Sequence, residues 1–234
     1  MQTHEADHLQ RVKFTSLTSS PRIALLAVML LSLISAAIAN ETAPQSGPAK
    51  TVVVLGDSLA AGYGLDPSES FPALLQRKID AAGMKFTVVN AGVSGDTSAG
   101  GLRRIDWLLR RRVDVLVLEL GGNDGLRGIP VGVTKTNLQA IIDRTKQKHP
   151  RAQIVVAGMQ MPPNMGADYT ASFAKLFPDL AKANNAALVP FLLEGVGGRP
   201  ELNLPDLIHP TAEGQRIVAT NVWNVLKPVL EKAP

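Results

Sequence analysis

The strongest constraint on the fold is an alternation between short apolar segments and longer segments with helical periodicity. The apolar segments are rich in Val, Leu and Ile and are typical of buried strands. In the longer segments, apolar residues recur every three or four positions, as in amphipathic helices. The predicted strands are 52–55, 86–90, 113–120, 153–159 and 187–191, and the predicted helices are 70–82, 99–112, 134–148, 170–184 and 211–226.

Strands that alternate with helices form parallel sheets, because a helix can carry the chain back to the start of the next strand. The pattern predicts an α/β fold, a three-layer α/β/α sandwich around a doubly wound, five-stranded parallel sheet. Pro190 indicates that the fifth strand lies at an edge of the sheet. Such sheets bind ligands beyond the C-terminal ends of their strands, so a functional site is expected in the loops that follow the strands.

The loop after the first strand contains a serine in a setting that suits a nucleophile. Gly56 ends the strand, Ser58 follows, and Gly62 and Gly64 carry the chain into a turn. A rigid strand would aim the hydroxyl group, and the N–H groups of a following helix would face an anion. The same pattern is typical of a simple turn in which Ser58 caps a helix, so this stretch alone leaves both interpretations open.

A serine nucleophile requires a base within hydrogen-bond reach and a group that orients the base. His209 lies after the fifth strand, whereas His149 ends a helix at the opposite rim, where it would interact with the helix dipole. Asp206 precedes His209 by three residues, so a single turn would place both side chains on one side. Asp206 could also cap its own backbone.

Two further loops offer hydrogen-bond donors for a developing oxyanion. Gly95 follows the second strand, where a glycine lets the backbone approach a substrate closely, and Asn123 follows the third with a neutral amide. With the N–H of Ser58 they would supply three donors. Gly95 could be a turn residue and Asn123 a helix cap. Their joint occurrence at strand ends nevertheless favours an active site.

Four short blocks resemble the motifs of the SGNH, or GDSL, hydrolases. They are residues 56–59 (GDSL), 94–97 (SGDT), 121–124 (GGND) and 206–210 (DLIHP), and the resemblance covers about residues 50–230. Within this family the chain is most similar to the periplasmic multifunctional thioesterase I/lysophospholipase/arylesterase group.

The resemblance implies a flavodoxin-like SGNH hydrolase fold and a serine esterase that acts on aryl esters and short-to-medium acyl esters. Acyl thioesters and lysophospholipids are further candidate substrates. The resemblance assigns Ser58, His209 and Asp206 to a catalytic triad. It assigns the N–H groups of Ser58 and Gly95 and the side chain of Asn123 to the oxyanion hole.

The family pattern also implies which residues contact the substrate. Leu126, in a mobile segment over 126–131, and Met161, in the loop 160–168, would lie beside the acyl site. The expected partner is a small-molecule ester or thioester, no cofactor or metal is required, and a monomer is expected. A carbohydrate deacetylase or a non-catalytic lipid-binding module on the same fold remain as alternatives.

Composition and motifs exclude several other classes. The chain has no cysteine, which excludes a thiol nucleophile, a thiolate metal site and disulfides. The net charge is +4, or +3 without residues 1–39, which is too small to indicate nucleic-acid binding. The basic cluster 110–112 is expected to complement a helix dipole. A dinucleotide-binding turn is disfavoured because Pro67 replaces the third glycine after Gly62 and Gly64.

The N-terminus has the pattern of a secretory signal peptide. Residues 23–39 form an uncharged apolar run that follows Arg22 and ends in the small residues Ala37 and Ala39. We expect a signal peptide over 1–39, a flexible lead-in over 40–50 and a hydrolase domain over 51–234. The mature chain is then expected to be periplasmic or secreted, without stable membrane insertion. An uncleaved N-terminal membrane anchor is the alternative.

Overall fold

In the computed structural model, which describes residues 49–233, five parallel strands form one sheet in the order β2-β1-β3-β4-β5. The strands are β1 Lys50–Gly56, β2 Phe86–Gly92, β3 Val115–Glu119, β4 Gln153–Ala157 and β5 Ala187–Val189. The helices are α1 Ser58–Ala61, α2 Phe71–Ala81, α3 Ser98–Leu108, α4 Gly122–Leu126, α5 Val131–Lys148, α6 Ala167–Asn184 and α7 Ala212–Lys232.

The helices cover the sheet in two layers. Helix α2 packs against α7, while α5 packs against α3 and α6. Strand β2 lies on one side of β1 and β3 on the other, so right-handed crossovers place the connecting helices α2 and α3 on opposite faces. The predicted three-layer architecture is confirmed, and so is the edge position of the fifth strand.

The two central strands account for the apolar segments in the sequence. Residues 52–55 of β1 and all five residues of β3 are buried, because helices cover both of their faces. Gly56, the last residue of β1, pairs with Glu119, the last residue of β3. A carboxyl group therefore sits at a fully buried strand end, beside the turn that carries Ser58.

Helix α3 is shorter than its apolar periodicity predicts. It ends at Leu108 instead of residue 112, because the chain turns there to bury Leu109 and Val113 before β3. The three arginines at 110–112 are exposed in this turn and are not part of the helix. Arg112 forms an ion pair with Asp114, with 2.7 Å between its Nη2 atom and the carboxylate.

Helix α7 is longer than predicted, since it runs to Lys232 and not to residue 226. Pro228 lies inside it, yet the apolar stripe continues from Leu226 to the buried Leu230. Both Pro228 and Asn224, whose carbonyl group loses its helical donor, are exposed. Water can therefore satisfy that carbonyl, and burial of Leu230 outweighs the lost hydrogen bond.

The predicted signal peptide and most of the predicted lead-in lie outside the described residues. Lys50, the last residue of that lead-in, is the first residue of β1. Within residues 49–233, no helix combines the length and the apolar character that a membrane span requires.

Candidate active site

Ser58 is the first residue of α1 and directly follows the tight turn at the end of β1. Asp57 precedes it and caps the helix, because its Oδ1 atom accepts a hydrogen bond from the N–H of Leu59 at 3.0 Å. The alternative in which Ser58 itself caps the helix is therefore wrong. With Asp57 in that role, the Ser58 hydroxyl group is available for another partner.

The close packing around the turn of Ser58 requires glycine at two positions, one in β1 and one in β2. A Cβ atom on Gly56 would lie 2.4 Å from Oε2 of Glu119, and one on Gly92, at the end of β2, would lie 2.3 Å from the backbone nitrogen of Ala61. Helix α1 ends at Ala61 and is capped by Gly62, which has a φ of 76°. The spacing of small residues after the first strand thus reflects close backbone packing around Ser58.

The structure brings Ser58, His209 and Asp206 into one hydrogen-bonded chain. The His209 Nδ1 atom lies 2.7 Å from Oδ2 of Asp206, and Nε2 lies 2.8 Å from the Ser58 hydroxyl oxygen. A neutral imidazole that donates from Nδ1 to the carboxylate has Nε2 free to accept the hydroxyl proton. The Tyr63 ring packs on the His209 ring with 4.4 Å between centroids and helps to hold it in place.

Asp206 is fixed by its own loop as well as by His209. Its Oδ1 atom accepts hydrogen bonds from the N–H groups of Ile208 at 2.9 Å and His209 at 3.0 Å. The backbone and ring of His209, followed by the amide of Ile208, lower the pKa of Asp206 to about 2. Asp206 therefore both caps its own turn and orients His209, so the two alternatives for this residue hold together.

The three predicted oxyanion donors belong to neighbouring loops. Among residues 49–233, the N–H groups of Ser58 and Gly95 have no backbone acceptor. Asn123 lies in the first turn of the short helix α4 and not before it. Its Nδ2 atom donates to Oδ2 of Asp57 at 3.1 Å and to the carbonyl oxygen of Asp96 at 2.9 Å, which ties the loop of Gly95 to the turn of Ser58.

An open cleft of about 520 Å³ begins at Ser58 and His209. Most of its lining is apolar, and it includes both predicted substrate-contact residues, Leu126 and Met161. Phe191 and Leu193, which follow β5, also line it and were not predicted from the sequence. The shape and lining suit an apolar acyl chain whose carbonyl group reaches Ser58.

His149 takes no part in this site. It follows α5, and its Nε2 atom lies 3.1 Å from the carbonyl oxygen of Leu109. The side chain thus links the end of α5 to the turn after α3, at the opposite end of the sheet. In the part of the chain that the structure describes, no group of three or more His, Cys, Asp or Glu side chains could hold a metal ion.

Burial changes the ionisation of Asp57. It raises the pKa of this carboxyl from 3.8 to about 6, although hydrogen bonds from Leu59 and Asn123 act in the opposite direction. Between those two pH values the folded chain binds more protons at Asp57 than the unfolded chain does. The free energy of unfolding therefore falls as the pH rises through this window.

We expect the protein to be more stable at pH 5 than at pH 7, by about 1 kcal/mol from Asp57 alone. Chemical denaturation at a series of pH values between 4 and 8 measures this difference. An Asp57→Asn variant has no such group to titrate and should show a flatter profile. Equal pH dependence of the variant and the wild type would show that Asp57 does not titrate in this range.

Comparisons with known proteins agree on one family. The model of the "GDSL-like Lipase/Acylhydrolase family" matches residues 54–217. The chain is 42% identical to "Esterase TesA" of Pseudomonas aeruginosa over 199 residues, which are 85% of this chain and 98% of that protein. It is 38% identical to the "Arylesterase" of Vibrio mimicus over 198 residues, or 84% of this chain and 94% of the relative.

Another relative and a solved structure extend this comparison. The "Thioesterase 1/protease 1/lysophospholipase L1" of Escherichia coli K12 is 38% identical over 187 residues, 80% of this chain and 88% of the relative. A crystal structure of the esterase EstA from Pseudoalteromonas sp., inhibited by monoethylphosphonate, is similar with a TM-score of 0.73 and 34% identity. That match covers 78% of this chain and all of EstA.

Proposed function

Because the chain belongs to the GDSL-like lipase/acylhydrolase family, whose members hydrolyse esters, we propose that Ser58 is its nucleophile and forms an acyl-enzyme. The observation that carries this proposal is the continuous chain of hydrogen bonds from Ser58 through His209 to Asp206 at 2.8 and 2.7 Å. It is the arrangement that a serine needs to lose its proton as it attacks a carbonyl carbon.

The first half of the reaction forms the acyl-enzyme. The Ser58 oxygen attacks the ester carbonyl while Nε2 of His209 takes its proton, and the Asp206 carboxylate stabilises the imidazolium that results. The oxyanion receives hydrogen bonds from the N–H groups of Ser58 and Gly95 and from the Asn123 amide. His209 then protonates the leaving alcohol or thiol. In the second half, water attacks the acyl-enzyme while His209 takes its proton. The bond between the acyl carbon and the Ser58 oxygen then breaks, His209 returns the proton to Ser58, and the carboxylic acid leaves.

The cleft supports an acyl group of short to medium length as the part of the substrate that is bound. Its lining beyond Ser58 includes Leu126, Met161 and Phe191 and offers few groups that could bond to sugar hydroxyls. This lining favours an acyl ester over the acetylated carbohydrate of the alternative. Aryl esters fit the open mouth, and the names of the relatives support thioesters and lysophospholipids as further substrates.

A substrate panel combined with covalent labelling tests this function. We expect the purified protein to hydrolyse p-nitrophenyl acetate, butyrate and octanoate faster than p-nitrophenyl palmitate. Acyl-CoA and lysophosphatidylcholine are assayed in parallel as further substrates. A fluorophosphonate probe should inactivate the enzyme and add its mass to the peptide that contains Ser58. Hydrolysis of acetylated sugars but not of octanoate would favour the deacetylase, and ligand binding without labelling would favour the lipid-binding module.

The place of action is also a proposal. The N-terminal pattern over residues 1–39 supports export of the chain, with cleavage after Ala39. The hydrolase would then act in the periplasm or outside the cell.

A further inference from the structure

Two buried carboxyl groups lie close to Ser58 and have no part in the proposed triad. Asp57 is 2% exposed and Glu119 is 1% exposed. Burial of a carboxyl group is costly unless its hydrogen bonds or its function compensate for it. Glu119 also ends a strand whose other four residues are aliphatic, so neither packing nor strand pattern explains it.

Glu119 contacts residues 56–58, the nucleophile turn, through its carboxyl group. Its Oε2 atom accepts a hydrogen bond from the backbone N–H of Asp57 at 3.1 Å. The absence of a side chain on Gly56 lets this carboxyl reach the turn, since a Cβ atom there would lie 2.4 Å from Oε2. The bond fixes the backbone one residue before Ser58, whose own N–H is a proposed oxyanion donor.

Asp57 connects the turn of Ser58 to Asn123, another of the proposed oxyanion donors. Its Oδ1 atom holds the N–H of Leu59, and its Oδ2 atom accepts from Nδ2 of Asn123 at 3.1 Å. Asn123 has two amide hydrogens, and the other points to the carbonyl oxygen of Asp96 at 2.9 Å. Asp57 thus holds Asn123 where an oxyanion can share or take over the longer of its two bonds.

We propose that Glu119 and Asp57 are positioning residues for the proposed function. Glu119 fixes the backbone of the nucleophile turn, and the Asp57 side chain holds the Asn123 amide at a fixed distance from that turn. The proposal rests on the proposed function, since it assumes that Ser58 and Asn123 contact the reacting carbonyl group. It adds that the position of both depends on one buried carboxyl group that touches no substrate.

Burial and the neighbouring charge of Asp57 both act against the ionised form of Glu119. Burial, together with the negative charge of Asp57, raises the pKa of Glu119 well above its ordinary value of 4.5, although hydrogen bonds from the backbone N–H groups of Asp57 and Ala60 act in the opposite direction. The other titratable groups that act on Asp57 are His209 and Asp96. Arg104 binds Asp96 and the carbonyl oxygen of Gly56 and makes no ion pair with Glu119 among the described residues.

Glutamine keeps an oxygen atom that can accept from the N–H of Asp57 and has nearly the same shape as glutamate, but it carries no charge. We therefore expect Glu119→Gln to keep a kcat for p-nitrophenyl butyrate close to that of the wild type, with the same pH profile. Glu119→Ala removes the acceptor, and its kcat should fall about 10- to 100-fold with little change in KM, because a small displacement of the nucleophile is enough to slow the reaction.

Asp57→Asn provides a second test that does not remove packing atoms. An asparagine has one acceptor and one donor, so it would present an N–H group to either Leu59 or Asn123, each of which also donates. We expect a fall in kcat of about 10²-fold, again with KM nearly unchanged. This variant keeps the proposal open to test if Glu119→Ala fails to fold.

A control in the same strand separates positioning from loss of stability. Leu116→Ala creates a cavity in β3 without touching the turn, and it should lower the unfolding temperature but keep kcat. A wild-type kcat in Glu119→Ala or Asp57→Asn overturns the positioning role, as does a Glu119→Gln enzyme as slow as Glu119→Ala. None of these results bears on the proposed nucleophile, which an active Ser58→Ala variant would overturn.

Discussion

Substitution of Ser58 by alanine is expected to lower kcat for p-nitrophenyl butyrate by at least about 10⁴-fold, because no other group can form the acyl-enzyme. The hydroxyl group is the only part of the side chain that is lost, and its sole side-chain partner among the described residues is His209. KM should change little, since the cleft that binds the acyl chain is intact. Residual turnover would come from the oxyanion donors and from binding alone.

The measurement needs a control for the loss of a buried hydroxyl group. Ser70 is fully buried and donates to the carbonyl oxygen of Pro67 at 2.8 Å, away from the cleft. Ser70→Ala should cost about 1 kcal/mol of unfolding free energy and keep its activity. A Ser58→Ala enzyme that keeps more than a few per cent of the wild-type kcat, or still reacts with a fluorophosphonate at an unchanged rate, would refute the triad.

The convergence of the loops was predictable because the fold itself was. Alternating strand and helix patterns predict a parallel sheet, and a parallel sheet brings the loops after its strands to one edge. Ser58, Gly95 and Asn123 follow the first three strands, so their convergence required no knowledge of side-chain contacts. The assignment to the GDSL family and to ester hydrolases, made from four short blocks, is confirmed by the family match and by the named relatives.

Other features depend on contacts between distant residues and could not be predicted from local patterns. Helix α7 continues past Pro228 because Leu230 finds a buried position, and α3 ends early because Leu109 and Val113 do. The same holds for the cleft, where Phe191, which follows the edge strand, lines the same cavity as Met161. Acyl-chain preference depends on such contacts, and the GDSL blocks carry no information on it.

The choice of N-cap residue for α1, Asp57 or the neighbouring Ser58, affects the site. Either Asp57 or Ser58 could cap a helix on sequence grounds, because both side chains have a suitable acceptor. The structure gives this role to Asp57, whose Oδ1 atom meets the N–H of Leu59. The chemistry of the site depends on this choice, since a capping Ser58 would direct its hydroxyl oxygen to its own helix instead of His209.

Asp206→Asn is expected to lower kcat by about 10⁴-fold, although the shape of the side chain is preserved. The asparagine oxygen can still accept from the N–H groups of Ile208 and His209, as Oδ1 of Asp206 does at 2.9 and 3.0 Å. Its amide nitrogen would then face Nδ1 of His209, which would have to accept instead of donate. The proton of the neutral ring would move to Nε2, where it blocks removal of the Ser58 proton.

The pKa of Asp206, at about 2, means that the wild-type carboxylate stays charged throughout the pH range of an assay. Raising the pH should therefore not restore Asp206→Asn, because the defect lies in the ring tautomer and not in a titration. Asp66 offers a matched control: its Oδ1 atom caps a turn through the N–H of Ser68 at 2.8 Å, and hydrogen bonds from Ser68 lower its pKa. Asp66→Asn should leave kcat unchanged. If Asp206→Asn did the same, His209 would need no carboxylate, and a Ser58–His209 pair would have to account for catalysis.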